Sequence, residues 1–568
     1  MKASRLALAA ALTGSLALAG CGGGGSGGSA GGSGAGPSGD GAAIKAFDIN
    51  LQPRDQVRDG GTLRWGLNEF PSQWNRNHVD GNLLMASVVS NALLPWPFRS
   101  NEKAEISVNP DYLADAKITE SDPKQVVTYT LNPKAKWSTG DPITWEDYAA
   151  QWKALNGRDT AFRIVSPTGY QDIESVRKGK DDYEVVVTFA RPFADWQSLF
   201  GPLLPKSANG SPEAFNTGWL NKIPVTAGPF TFKAFDQTAK TITIVRDDAW
   251  WGDRAKLDQI IYRASEQDSL IGAFGNGELD ITDVGPSAPD YARARSTSGA
   301  EVRQAAGPDF RHFTFNGSSE LLKDVNVRQA IQLGINRQAI AQSDLQGLDW
   351  PITLLNSHFF MNTQEGYQDN AGELGVYNPE KAKQMLDAAG WKLAGGVRQK
   401  DGKPLDLRFV VPTGVQLSKS EGELAQNMLA QIGVKLTLKA VPSDDFFTKY
   451  VIPGNFDITP FAYIGTPYPV SSSYGIYVNS PDGGKTWNAN FGRTGSAAID
   501  AAMQRAGSAL DHAQARTETN QADKLIWQEV NVLPLYQRPQ NVATKSNLAN
   551  AGARGFYDLR YQDIGFTK

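Results

Sequence analysis

Cysteine is almost absent from this 568-residue chain, which holds one, Cys21. No disulfide framework and no cysteine metal site can form within a single molecule. Histidine is nearly as scarce: His78, His312, His358 and His512 are scattered, with no pair at a metal-ligand spacing. No metal and no cofactor is therefore expected. Positive charge is not in excess, since 56 Lys and Arg face 60 Asp and Glu, and without Lys2 and Arg5 the balance is 54 to 60. That excludes a broad basic footprint for nucleic acid. Beyond the first residues, no apolar run approaches the roughly 20 residues that span a bilayer. No nucleophile elbow or ordered triad stands out. Adjacent acids such as Asp181-Asp182 and Asp444-Asp445 sit in solvent-facing contexts. These shortages argue against an enzyme. Aromatic residues, by contrast, are plentiful, with 14 Trp, 17 Tyr and 25 Phe to fill cores or line a groove.

The amino terminus carries its own information. Lys2 and Arg5 precede an apolar stretch from Leu6 to Leu18, too short for a stable span and suited to the core of a secretory signal. It ends in Leu18-Ala19-Gly20-Cys21, which resembles the lipobox of bacterial lipoproteins. That resemblance implies a signal over residues 1–20 and a lipid on Cys21. From Cys21 to residue 43 the chain is nearly all Gly, Ser and Ala, a flexible tether reaching roughly 25 Å. No strand precedes these glycines and no Lys follows, so they are not a phosphate loop.

The remaining residues, about 525, exceed what one hydrophobic core supports and predict two or three domains. Strand and helix signals alternate. Thr62–Leu67 reads as a first strand, followed by a polar-aromatic loop from Asn68 to Trp74. Val126–Leu131 is β-rich, and Tyr183, Val185, Val187 and Phe189 alternate as a half-buried strand does. Phe230, Phe232 and Ala234 lead through a turn at Asp236–Lys240 into Thr241–Val245, a hairpin. Thr144 and Asp147 form a capping box, and Asn378 caps a helix that opens on Pro379 and ends at Gly390. Ala425, Met428, Leu429 and Ile432 make a helical stripe that gives way, after Gly433, to period two at Val434, Leu436 and Leu438. The fold class is α/β or α+β with mixed sheets.

Six blocks in order resemble the family 5 extracytoplasmic solute-binding proteins of ABC importers, the peptide, dipeptide and nickel binders. They are Thr128-Tyr129-Thr130-Leu131 with Ala135 to Thr144; Ala227-Gly228-Pro229-Phe230 leading to Arg246 through Gly252; Ala273 through Ile281; Phe313-Thr314-Phe315-Asn316 with Asp324 through Ile331; Tyr377 through Ala382; and Leu533-Pro534-Leu535-Tyr536. The resemblance implies a two-lobed clamp with an extra subdomain inserted in the first lobe. Residues 44–97, 225–307 and 531–568 would form lobe I, 98–224 the inserted subdomain and 308–530 lobe II. It implies a monomer on the extracytoplasmic face of the membrane, held by its lipid. The clamp would close over a small-molecule or peptide ligand and hand it to permease and ATPase subunits. An alternative is an envelope lipoprotein of the same fold that binds a glycolipid or a partner enzyme.

By position, the resemblance places Asn68, Glu69, Phe70 and Trp74 in the groove from lobe I, and Arg311, Tyr463, Gly465, Thr466 and Tyr468 from lobe II. Packing is the competing role for Trp74 and Tyr468, and Trp250 and Trp251 are expected in the core. Beside Arg311, His312 is the one histidine near the lobe crossing. Peptide-binding members carry Asp-Tyr-Pro-Asp-Pro where this chain has Gly465 to Pro469, so both acids are missing. The first of those acids pairs with a peptide's ammonium. Its loss predicts weak binding of free-amino peptides and better binding of a neutral or glycosylated compound.

Overall fold

A computed structural model describes residues 44–568; the signal segment, Cys21 and the tether lie outside the described residues. Its backbone is a ten-stranded mixed sheet. In chain order the strands are β1 (Thr62–Leu67), β2 (Phe230–Asp236), β3 (Thr241–Arg246), β4 (Gln259–Ala264), β5 (Ile281–Asp283), β6 (Ala300–Phe315), β7 (Asp406–Pro412), β8 (Lys435–Val441), β9 (Ile458–Ile464) and β10 (Val532–Lys545). Their order across the sheet is β8-β7-β9-β6-β10-β5-β1-β4-β3-β2.

Two long antiparallel strands, β6 and β10, tie the halves together. The first half of β6 pairs with the end of β10, from Ala300 opposite Lys545 to Ala306 opposite Pro539. Its second half pairs with the start of β10, from Phe310 opposite Gln537 to Thr314 opposite Val532. Between them Gly307, Pro308 and Asp309 bulge against Arg538. A bulge bends and twists a ladder, and prolines at 308 and 539 withhold two amide donors here. A larger residue would crowd the bulge at 307, where an added Cβ would lie 2.7 Å from Asp309 Oδ1 and 3.0 Å from the Arg538 carbonyl oxygen. This is the joint of the molecule.

Local signals behave as their chemistry requires. Thr144 and Asp147 cap the helix Trp145–Leu155 reciprocally, and the Thr144 amide donates to Asp147 at 3.0 Å. Asn378 accepts from the Lys381 amide at 2.9 Å and opens the helix Pro379–Ala388. The helix Gln416–Ala430 delivers the chain to β8.

Four apolar cores hold the fold. One, around Leu63, Trp74, Ile244, Tyr262 and Ile564, underlies β1 to β4 and recruits the carboxyl-terminal tail. A second, around Tyr129, Tyr148 and Phe200, belongs to residues 98–227 with their separate four-stranded sheet. The others lie beyond the joint, around Phe313, Ile331 and Leu429 and around Phe359, Phe461 and Phe491. The first of these also takes in Leu270, Phe274 and Tyr291, so apolar packing runs on across the joint.

Candidate functional site

Strand direction determines what faces the joint. β5 runs antiparallel to β10, with Ile281 opposite Thr544 and Asp283 opposite Val542, so its carboxyl end points at the bulge. β1 lies parallel to β5, and β4 parallel to β1. From the other half, β9 places Ile464 opposite Asp309, while β7 and β8 run parallel to it. Six carboxyl ends, three from each half, thus converge on one line across two connecting strands. Loops at the carboxyl ends of parallel strands are where open α/β sheets bind ligands.

Acids predominate in this crevice. Asp283 accepts from the Gly285 amide at 2.8 Å, and burial pushes its carboxyl up to about 6, with Asp309 adding to the rise and Arg538 opposing it. Arg538 itself donates to Asp309 at 2.6 Å, across the bulge. Glu69 is exposed, yet the protein around it strips enough water to raise its carboxyl, as expected for a side chain in a concavity. Two carboxyl groups, Asp283 and Asp309, therefore share one guanidinium.

The halves touch away from the joint as well. Tyr468 donates its hydroxyl to the Gln197 carbonyl at 2.9 Å. Asp195 accepts from the Ser471 amide at 2.9 Å, capping the helix Pro469–Tyr477 from the neighbouring subdomain. The Ala194 amide adds a bond to the Gly507 carbonyl at 2.8 Å. These three bonds join the subdomain to the other half away from the joint.

The profile of the bacterial extracellular solute-binding proteins, family 5, matches residues 108–485. This chain belongs to that family. It is 43% identical over 525 residues to the oligopeptide-binding protein OppA of Mycobacterium tuberculosis, covering 92% of this chain and 87% of that one. A second mycobacterial protein, the probable monoacyl phosphatidylinositol tetramannoside-binding protein LpqW, is 25% identical over 386 residues, covering 63% of this chain and 60% of its own. Among solved structures, the periplasmic EDTA-binding protein EppA superposes with a TM-score of 0.83 at 24% identity, over 93% of this chain and 99% of that one. AppA of Bacillus subtilis, in complex with a nonapeptide, gives 0.73 at 22% identity, over 90% of this chain and 100% of its own.

As a family 5 solute-binding protein, the chain is extracytoplasmic in type and two-lobed. The residues singled out by sequence scatter more than the family position implied. Asn68 and Glu69 follow β1 into the crevice. Trp74 does not: it is 1% exposed and stacks on Phe235 at 5.3 Å, while Phe70 meets the same ring edge-on at 6.3 Å. Both fill the core under β1 to β4, because the loop turns inward. Arg311 faces the helix Gln416–Ala430, where it forks onto Glu421 at 2.7 and 2.5 Å and donates to Ser418 at 2.8 Å. Three of its five N–H donors, on Nε and Nη2, are used in this contact. Tyr463 lies flat on His312 at 4.4 Å and 6°, buried in the core around Phe359, Phe461 and Phe491, and burial pushes its phenol up.

Gly465 does sit at the joint, but for a packing reason. Its amide donates to the Pro308 carbonyl at 2.6 Å, and an added Cβ would lie 2.7 Å from Met361 Cε. Thr466 accepts from the Tyr468 amide at 3.0 Å and shapes the turn that presents Tyr468 to the subdomain. Trp250 is buried as expected, and Trp251 donates to the Asp111 carbonyl at 2.7 Å. Sequence reasoning missed Asp283, Asp309, Arg538, Asp195 and Gln197. For Asp283 a signal existed, the short strand 281–283 breaking at Gly285-Pro286; for the others only the register of β6 with β10, or the meeting of the halves, locates them. Among the described residues no group of three or more His, Cys, Asp and Glu could hold a metal, and no helix is long and apolar enough to cross a membrane.

Proposed function

We propose that this protein captures a peptide-like solute in the crevice between its lobes and delivers it to an ABC permease, without catalysing a reaction on it. One observation carries the reading: parallel strands from two lobes aim their carboxyl ends at a line that only two strands cross. Such a joint permits closure around a bound molecule, and solute then favours the shut form. Kinship with an oligopeptide-binding protein at 43% identity supports a peptide.

The crevice revises what Gly465 alone suggested. The acid missing from lobe II has counterparts in Glu69 and Asp283 of lobe I and Asp309 at the joint, which can neutralise an ammonium. We assign residues 44–97, 225–307 and 531–568 to lobe I, 98–224 to the subdomain and 308–530 to lobe II. In this reading the protein is a monomer tethered by a lipid on Cys21. Calorimetry with mixed di- to pentapeptides, the same pool N-acetylated, and an envelope-glycan fraction tests the solute. Saturable binding of free-amino peptides with a smaller radius of gyration in solution scattering is expected. Binding of the glycan fraction alone would favour the envelope alternative, in keeping with a relative named for binding a phosphatidylinositol tetramannoside.

A further inference from the structure

The carboxyl-terminal tail links the halves of the molecule a third time, apart from β6 and β10. Ala551 and Ala553 are buried in the core under β1 to β4. Phe556, three residues on, is 4% exposed in the core around Phe359, Phe461 and Phe491, beyond the joint. Asp558 then reaches the inserted subdomain: its amide donates to the Ser100 carbonyl at 3.0 Å, and its carboxylate accepts from the Ser100 amide at 2.9 Å. Residues 552–558 therefore touch all three parts of the fold.

The amino-terminal segment fastens this stretch. Asp48 lies opposite Ala553 and Ile49 opposite Gly552 in a short antiparallel ladder. The same segment follows the part of the β6 edge that β9 leaves free. There the Ala306 amide donates to the Lys45 carbonyl at 2.8 Å, and Asp48 accepts from the Gln304 amide and from Arg303, each at 3.2 Å. Ala306 immediately precedes the bulge, so the fastening is at the joint itself. Phe47 stacks on Tyr557 at 5.6 Å and 16°. Gly555 is wedged between segment and strand, since an added Cβ would lie 2.3 Å from the Ala46 carbonyl oxygen and 2.8 Å from that of Ala306.

We propose that residues 552–558, fastened by residues 44–49, form a strap across the joint that limits how far the lobes open. This rests on the clamp reading above. Bending at Gly307–Asp309 parts the core that holds Ala553 from the core that holds Phe556. The stretch between them has little slack, because the Gln540 side chain accepts from the amides of Arg554 and Gly555 at 2.9 and 3.1 Å. Opening therefore withdraws the Phe556 ring from its core or unzips the ladder at Asp48 and Ile49. The first step exposes apolar surface and the second leaves hydrogen bonds unmade, so both oppose opening.

The mature full chain is compared with Phe556→Ala and with Phe47→Ala combined with Asp48→Asn, by solution scattering, amide hydrogen exchange and peptide calorimetry. Phe47 and Asp48 lie outside the four cores, so the double variant stays informative where loss of the Phe556 ring weakens the fold. Without solute, each variant should show a larger radius of gyration than wild type and faster exchange at the Ala306 and Asp558 amides. Saturating di- to pentapeptides should restore the wild-type radius, at about tenfold weaker affinity if the shut form falls to about a tenth of the population. A solute-free radius unchanged in the double variant overturns the strap even where melting temperature falls, because lost packing alone moves only the latter. Compaction of wild type by peptide reads the clamp separately. Its absence would count against the clamp reading, whereas the solute-free comparison reads the strap without any solute.

Discussion

Replacing Glu421 by Gln tests how lobe II tolerates a buried charge. Glu421 is fully buried, and Arg311 beside it is 7% exposed and donates two bonds to it. Removing one partner of such a pair costs about 3–5 kcal/mol when the other charge is left alone. Here it is not left alone. Burial, with Glu421 close by, pushes Asp344 up to about 9, so at neutral pH it is a protonated acid that accepts from Tyr536 at 3.1 Å. Once Glu421 is neutral, the chief negative charge opposing ionisation of Asp344 is gone and Arg311 draws its proton off. We expect Glu421→Gln to cost only about 1–2 kcal/mol, the loss of a charge-assisted hydrogen bond. Asp344→Asn alone should cost less, and the double variant the full ~3–5 kcal/mol. Urea unfolding at unchanged slope, read as a double-mutant cycle, measures this. Equal cost for the double variant and the sum of the singles would refute the charge hand-over. The pH dependence gives a second check. A carboxyl raised in the folded state contributes stability below its ordinary value of 3.8 that is lost as pH climbs to about 9. Asp344→Asn should flatten wild-type stability across that window.

Three further outcomes follow from the geometry. Asp283 must be ionised to attract an ammonium, so calorimetric affinity for free-amino peptides should fall as pH drops below about 6, and Asp283→Asn should abolish that dependence while sparing N-acetylated peptides. Asp195→Ala removes the cap on Pro469–Tyr477, worth about 1 kcal/mol, and should weaken the same peptides roughly fivefold with a larger radius of gyration in scattering. Cys21→Ser should leave the protein unprocessed or move it from the membrane fraction to the soluble one, read by fractionation and migration.

The sequence by itself determined the elements and their order. Capping at Thr144 and Asn378, the period change after Gly433 and the hairpin around Asp236–Lys240 are contests among residues a few positions apart. The side chains that decide them are neighbours along the chain. The same holds for the six ordered blocks that point to the family. The remaining features depend on segments far apart in the chain. Arg311 finds Glu421 110 positions away, Trp74 finds Phe235, and Gly465 finds Pro308. In each case a residue type suited to a groove is claimed by a partner that only the sheet register brings near. The crevice is the clearest instance. Asp283, Asp309 and Arg538 become neighbours because β6 and β10 pair through a bulge across more than 200 positions. Local propensity cannot encode that, because the free energy selecting the register comes from burying both lobes' apolar faces at once.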